Sequence, residues 1–284
     1  MIPAAFDYHR PKDLAGAIAL LQEHGDEARV MAGGHSLIPM MKLRMTDIPH
    51  LIDLQDVAGL KEISIEGGRV TLGAMVTQHD MIDHDGLAAA APILREAALQ
   101  IADPQVRYMG TVGGNVANGD PGNDLPGLMQ CLAADFTLTG PAGTRSVAAR
   151  DFYEGAYMTE RADDEILVSL AFDLPGRGYA YEKQKRKIGD YATAAAAVIL
   201  AKEGGRCSAA SVALTNLSDT PLFAPAAGEA LTGTAVDAEA IAAAVAAAGA
   251  LIDPVEDNRG PVAFKRHLAG IILTRAIQRA WDRA

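Results

Sequence analysis

The sequence predicts an α+β fold laid out in three regions, 1–55, 56–177 and 178–284. Three observations carry that expectation. A short apolar strand, a glycine turn, a helix and a second apolar strand follow one another before residue 55, which makes a β-α-β unit. Beyond it, alternating residues flank Gly67-Gly68 as in a hairpin, and short helical stretches and further strands follow. Pro175-Gly176-Arg177-Gly178 then breaks the chain, and the remainder reads as alternating strands followed by two long helices.

Taken in order, Asp13 to His24 carries Leu14, Ala17, Ile18 and Leu21 at helical spacing, with Asp13 placed to cap and Gly25 to stop the helix. Arg29-Val30-Met31 leads into Ala32-Gly33-Gly34-His35-Ser36 as a strand, and Leu37 to Met45 leaves it as a helix. His50 to Leu54 closes the unit. In the second region, Leu60–Ile65 and Val70–Ala74 pair across the Gly-Gly turn, and helices are expected at Gln78–Asp83, Pro92–Ile101 and Leu125–Leu132. Strands are expected at Phe136–Thr139 and Glu165–Phe172. In the third region, Tyr179–Lys183, Thr193–Leu200 and Ser208–Thr215 read as strands. Ala238–Ala248 and Ala263–Trp281 read as helices, the first stopped by Gly249, because alanine is the best helix former.

Composition narrows the function. The chain has 284 residues, 49% hydrophobic and 21% charged, which is enough to build a sizeable core. A formal net charge of −11 argues against a nucleic-acid partner, which recruits basic surface. Any bound phosphate must then be held by backbone donors and local positives. Cys131 and Cys207 can hold neither an iron–sulfur cluster nor a structural zinc, so no metal site and no disulfide framework is expected. No basic leader precedes an apolar run, and no window reaches the ~18 apolar residues of a membrane span. The expected location is cytoplasmic.

Two pairs of adjacent glycines, Gly33-Gly34 beside Ser36 and Gly113-Gly114 beside Thr111, organise the functional reading. Adjacent glycines permit positive φ and a close backbone approach to a ligand. Their N–H groups can converge on an anion, so two such turns can hold the two halves of a pyrophosphate. The G-x-G-x-x-G, G-x-x-x-x-G-K-[ST] and H-E-x-x-H patterns are absent, which removes the main support for Rossmann, P-loop and zincin readings.

Ala32–Ser36 followed by Leu37-Ile38-Pro39-Met40-Met41 resembles the first FAD-pyrophosphate loop of the flavin subunits of molybdenum hydroxylases. Ile101-Ala102-Asp103-Pro104-Gln105-Val106-Arg107 with Gly110–Asn115 resembles the second. The similarity runs almost end to end. It is strongest toward the carbon-monoxide dehydrogenase branch of that family in Asn118–Asp124 and in Tyr181–Thr193. The resemblance implies the vanillyl-alcohol-oxidase type of FAD fold, with two α+β subdomains around the cofactor and a C-terminal domain of antiparallel strands and helices.

It also implies roles for particular residues. Ala32, Gly33, Gly34, His35, Ser36, Thr111, Val112, Gly113, Gly114 and Asn115 form the diphosphate loops, with glycine amides as donors and the Ser36 and Thr111 hydroxyls assisting. His35 is either a neutral spacer or a titrating group. Asp124 either touches the polar chain of the flavin or caps a helix, and Ile101 and Leu167 either lie beside the cofactor or are plain core. Lys183 aligns with a lysine near the isoalloxazine, where a cation favours the reduced flavin. The alternative places it in a solvated charged face with Lys185, Arg186 and Lys187. The family's flavin-covering tyrosine aligns with Ala156, which leaves Tyr191 or Tyr157 for that role, or for simple packing.

By the same resemblance, the chain is an electron-transfer subunit without catalytic residues of its own. Electrons arrive from [2Fe–2S] clusters on a small partner subunit, fed by a molybdenum cofactor on a large one, and leave FAD for a quinone or other membrane acceptor. The assembly implied is a dimer of heterotrimers, with a peripheral place at the inner face of the membrane. A related molybdenum hydroxylase with another substrate, a stand-alone flavoprotein oxidase or reductase, and a subunit that never holds flavin are the competing readings.

Overall fold

The computed structural model describes residues 2–284; residue 1, at the head of the first expected region, lies outside them. In the first part, β1 (Asp7–His9), α1 (Leu14–His24), β2 (Ala28–Met31), α2 (Leu37–Lys42) and β3 (His50–Asp53) build a three-stranded parallel sheet of order β1-β3-β2. Asp13 caps α1 by accepting from the Gly16 amide at 2.8 Å, and Gly25 ends it at φ +51°. Because β2 and β3 are parallel, the connection between them crosses over the sheet, and the glycine turn sits at the C-terminal end of β2.

The second part holds a five-stranded antiparallel sheet, with strands in the order β4 (Ile63–Glu66), β5 (Arg69–Gly73), β10 (Ile166–Asp173), β6 (Asp135–Gly140) and β7 (Gly143–Ala148). Gly67 and Gly68 both have positive φ, as a two-residue hairpin of this twist requires. Six short helices pack beside the sheet: α3 (Gln78–Asp83), α4 (Asp85–Ala90), α5 (Pro92–Ala98), α6 (Pro104–Met109), α7 (Val112–Ala117) and α8 (Asp124–Cys131). A small ribbon, β8 (Tyr153–Gly155) with β9 (Met158–Thr159), lies between β7 and β10 in the chain. Thr77 and Asp80 form a reciprocal capping box on α3. The second glycine pair is a correction to the expectation of a turn. Gly113 and Gly114 lie in the first turn of α7, behind the N-cap Thr111.

The third part is an antiparallel sheet of β11 (Gly178–Gln184), β12 (Ala194–Glu203), β13 (Arg206–Thr215) and β14 (Leu222–Phe223), backed by α9 (Pro225–Leu231), α10 (Ala238–Gly249) and α11 (Val262–Arg283). Gly249 is the last residue of α10 and not its stop. The alanines of β12 are small because the strand is covered on both faces. Ala195 and Ala197 join the core shared with the second part, while Ala194, Ala196 and Val198 join the core under α10 and α11.

Glu96 on α5 ties the second part to the third. Its carboxylate accepts from Arg279, from Arg283 Nη1 at 2.9 Å and from the Tyr181 amide at 2.6 Å. Glu96→Ala leaves the Tyr181 amide without its acceptor and removes both ion pairs, and the expected loss is about 1–3 kcal/mol, read as a lower thermal midpoint.

Candidate functional site

The two glycine segments touch. A Cβ added to Gly33 would sit on the Met109 carbonyl oxygen, 2.7 Å from the Met109 carbonyl carbon and 2.9 Å from Gly110 Cα. A Cβ on Gly114 would lie 2.8 Å from Thr111 Oγ1 and 3.2 Å from Ala32 Cβ. These glycines are therefore required by the close approach of one loop to the other, whereas positive φ explains only Gly34, at +73°. Gly113 is held by a third contact, since its Cβ would meet Ala74 O at 2.8 Å.

The amides of the two loops do different things. In the second, Val112 N–H donates to Val76 O at 2.9 Å, Gly113 N–H to Ala74 O at 2.9 Å, and Gly114 N–H to Thr111 Oγ1 at 3.0 Å. None of these three is left for a ligand, which corrects the expectation that both loops cradle an anion with glycine amides. In the first loop, none of the amides of Gly33, Gly34, His35, Ser36 and Leu37 donates to another described residue. Five successive N–H groups, around a left-handed glycine and a helix start, are thus left without an acceptor among the described residues. The Ser36 side chain makes no cap bond to α2 and is free to assist.

Both loops wall one cavity of about 480 Å³. Every expected site residue except Val112 lines it: Ala32, Gly33, Gly34, His35, Ser36, Ile101, Thr111, Gly113, Gly114, Asn115, Asp124, Leu167, Lys183 and Tyr191. Val112 is fully buried in the core and does not line the cavity. Ile101 and Leu167 are both core and wall. Asn115 braces the second loop against α8, accepting at its carbonyl from Asn123 Nδ2 at 2.8 Å and at Oδ1 from Leu125 N–H at 3.3 Å.

A buried ion pair, Lys183 with Asp124, forms part of the cavity wall. Lys183 Nζ lies 2.7 Å from Asp124 Oδ2 and 3.2 Å from the Gln100 carbonyl, with 1% of the lysine side chain exposed. Lys183 is thus no part of a solvated face. Asp124 is the first residue of α8, makes no cap bond, and accepts from the Tyr181 hydroxyl at its other oxygen. Burial pushes the Asp124 carboxyl upward, and the Lys183 ammonium opposes that shift. Tyr191 also lines the cavity, packed near Gly122, with its pKa raised by burial and by Asp120. Tyr157 and Ala156 do not line the cavity.

Among the wall residues that sequence reasoning did not assign to the site, three polar ones stand out. Arg29 and Arg161 are both tied to backbone carbonyls, as in Arg29 Nη1 to Ala28 O at 2.8 Å and Arg161 Nη1 to Glu165 O at 2.9 Å. Gln78, below Gly110, is 2% exposed and its Oε1 has no partner among the described residues. No spacing pattern marks any of the three, because each reaches the wall from an element whose register only the tertiary fold sets.

Residues 4–175 match the family described as the FAD binding domain in molybdopterin dehydrogenase. The chain belongs to that family. Residues 179–280 match the CO dehydrogenase flavoprotein C-terminal domain. The chain is 57% identical to the carbon monoxide dehydrogenase medium chain of Afipia carboxidovorans, covering 100% of this chain and 99% of that one. It is 45% identical to the medium chain of Hydrogenophaga pseudoflava, again over 100% and 99%. The structure superposes on the solved Cu,Mo-CO dehydrogenase in its cyanide-inactivated form with a TM-score of 0.98 at 57% identity, covering all of both chains. No helix among the described residues is long and apolar enough to cross a membrane.

The cavity fits the dinucleotide that defines this family. Its free amides suit the diphosphate, and the orphan polar atom of Gln78 faces the same wall. Gly114→Val is expected to lose the flavin and to destabilise the fold by about 1–3 kcal/mol, because its branched side chain drives apart Thr111 and Ala32. Flavin absorbance and a thermal melt read the two effects.

Proposed function

We propose that this chain is the FAD-carrying electron-transfer subunit of a carbon monoxide dehydrogenase, working beside an iron–sulfur subunit and a molybdenum subunit that oxidises the substrate. The observation that carries this reading is one cavity walled both by a loop with five unpaired amides and by a buried Lys183–Asp124 pair. Bound FAD supplies the redox chemistry that links the partner's [2Fe–2S] clusters to a quinone or other membrane acceptor.

The residues of this chain bind, orient and shield. The amides of residues 33–37 hold the diphosphate, and the second loop buttresses them from behind. Lys183, Asp124 and Tyr191 receive the isoalloxazine, while Arg29 and Arg161 stand at the adenine end. Ile101 and Leu167 keep water from the ring. Tyr191 is 43% exposed and neighbouring Ile188 is 90% exposed, which gives that end of the cavity an open edge toward an acceptor.

Purification of the complex from its native source tests this. One FAD per chain, with molybdenum and iron on co-purifying subunits and flavin bleaching by carbon monoxide, is the expected result. Bleaching of the isolated chain by a substrate of its own supports a stand-alone oxidase instead. Colourless chain in an active complex removes the flavin assignment.

A further inference from the structure

Away from the flavin cavity, three of the seven histidines converge from separate elements: His9 at the end of β1, His24 at the end of α1 and His50 at the start of β3. None of them walls the cavity. His50 pairs with Asp7 and Ala28 at the head of the parallel sheet, whereas the glycine turn leaves the opposite end of β2. One ring nitrogen from each histidine lies within 4.8 Å of the other two.

We propose that His9, His24 and His50 form a three-imidazole site for one borderline divalent transition-metal ion, zinc(II) or an ion of similar chemistry. His9 Nε2 and His50 Nδ1 are 3.1 Å apart, a separation that two metal–nitrogen bonds of about 2.0–2.1 Å span readily. That contact is the one hydrogen bond these rings make to described residues, so their lone pairs are not committed elsewhere. All three side chains are half-buried, which leaves water a route to a further coordination position. Asp7 Oδ2, 3.8 Å from His50 Nδ1, adds a negative charge at the rim. An all-nitrogen donor set selects zinc, nickel, cobalt or copper over the oxygen-seeking calcium and magnesium.

Binding asks for one movement. His24 stacks on His50 with centroids 3.7 Å apart and planes 8° from parallel. Two parallel rings cannot both aim in-plane lone pairs at one ion, so His24 turns out of the stack on binding. The ion then fastens β1, an edge strand held to β3 over three residues of register, to the end of α1.

The test is titration of the chelator-stripped full-length protein with cobalt(II), followed by zinc(II) competition. The expected result is one ion per chain, a visible cobalt spectrum that zinc abolishes, and affinity lowered at least tenfold by each of His9→Ala, His24→Ala and His50→Ala. His267→Ala, on the exposed face of α11, leaves it unchanged. Circular dichroism confirms that the variants fold. Absence of stoichiometric binding, or binding that survives the triple variant, overturns the proposal. If a variant fails to fold, anomalous scattering from zinc-soaked crystals of the unaltered protein decides: a peak among the three rings supports the site, and none there refutes it.

Discussion

Gly33→Ala is expected to strip the protein of flavin and to cost about 2–3 kcal/mol of stability. The new methyl group would fall on the Met109 carbonyl oxygen and within 2.9 Å of Gly110 Cα, all of it backbone that cannot swing aside. The two loops must separate, and the amides of residues 33–37 then lose their common focus. Gly34→Ala makes the useful comparison. Its neighbours are the flexible side chains of Ile38 and Met31, but its φ of +73° is left-handed, so its cost is conformational at about 1 kcal/mol. Flavin-to-protein absorbance ratios and melts of both variants separate loop contact from backbone strain. Equal, mild effects would contradict the packing explanation.

Lys183→Met is expected to destabilise the fold by about 3–5 kcal/mol, because it leaves the Asp124 carboxylate buried without its partner. The double variant Lys183→Met with Asp124→Asn recovers a large part of that loss, since neither charge then remains. The flavin potential discriminates further. Burial already pushes the Asp124 carboxyl upward, so removing Lys183 lets it take up a proton. The potential then falls by less than the loss of a bare cation implies. With the isoalloxazine placed as proposed, Asp124→Asn leaves the ammonium uncompensated and raises the potential by tens of millivolts, where ~30 mV corresponds to ~1.4 kcal/mol for a two-electron couple. Redox titration checks both signs, and no change in either variant places the pair away from the isoalloxazine.

Much of this was legible in residue order. Asp13 and Gly25 bracket α1 as their types dictate, Gly67-Gly68 turns the β4–β5 hairpin, and the paired glycines meet at one site. What the glycines are for was less legible. Close approach to a ligand and close approach to a second loop ask for the same residue, and only coordinates distinguish them. Whether an amide is free or already bonded to Ala74 or Val76 is likewise invisible in sequence. Lys183 sits in a run of basic residues that looks solvated, yet it lies two positions along a strand from Tyr181, which is fully buried. Period-two alternation therefore puts both on one covered face. The exposed, polar strand β7 offers no alternation to read. The helix α6 is short but carries its own signal in the Asp103 cap and Pro104.

Amide hydrogen exchange on the flavin-free and FAD-reconstituted complex tests the central claim most directly, because that claim assigns the diphosphate to one loop and the supporting role to the other. The account predicts slowed exchange at residues 33–37 when FAD binds, with the amides of Gly113 and Gly114 already protected and unchanged. Protection gained at 113–114 with none at 33–37 would contradict it.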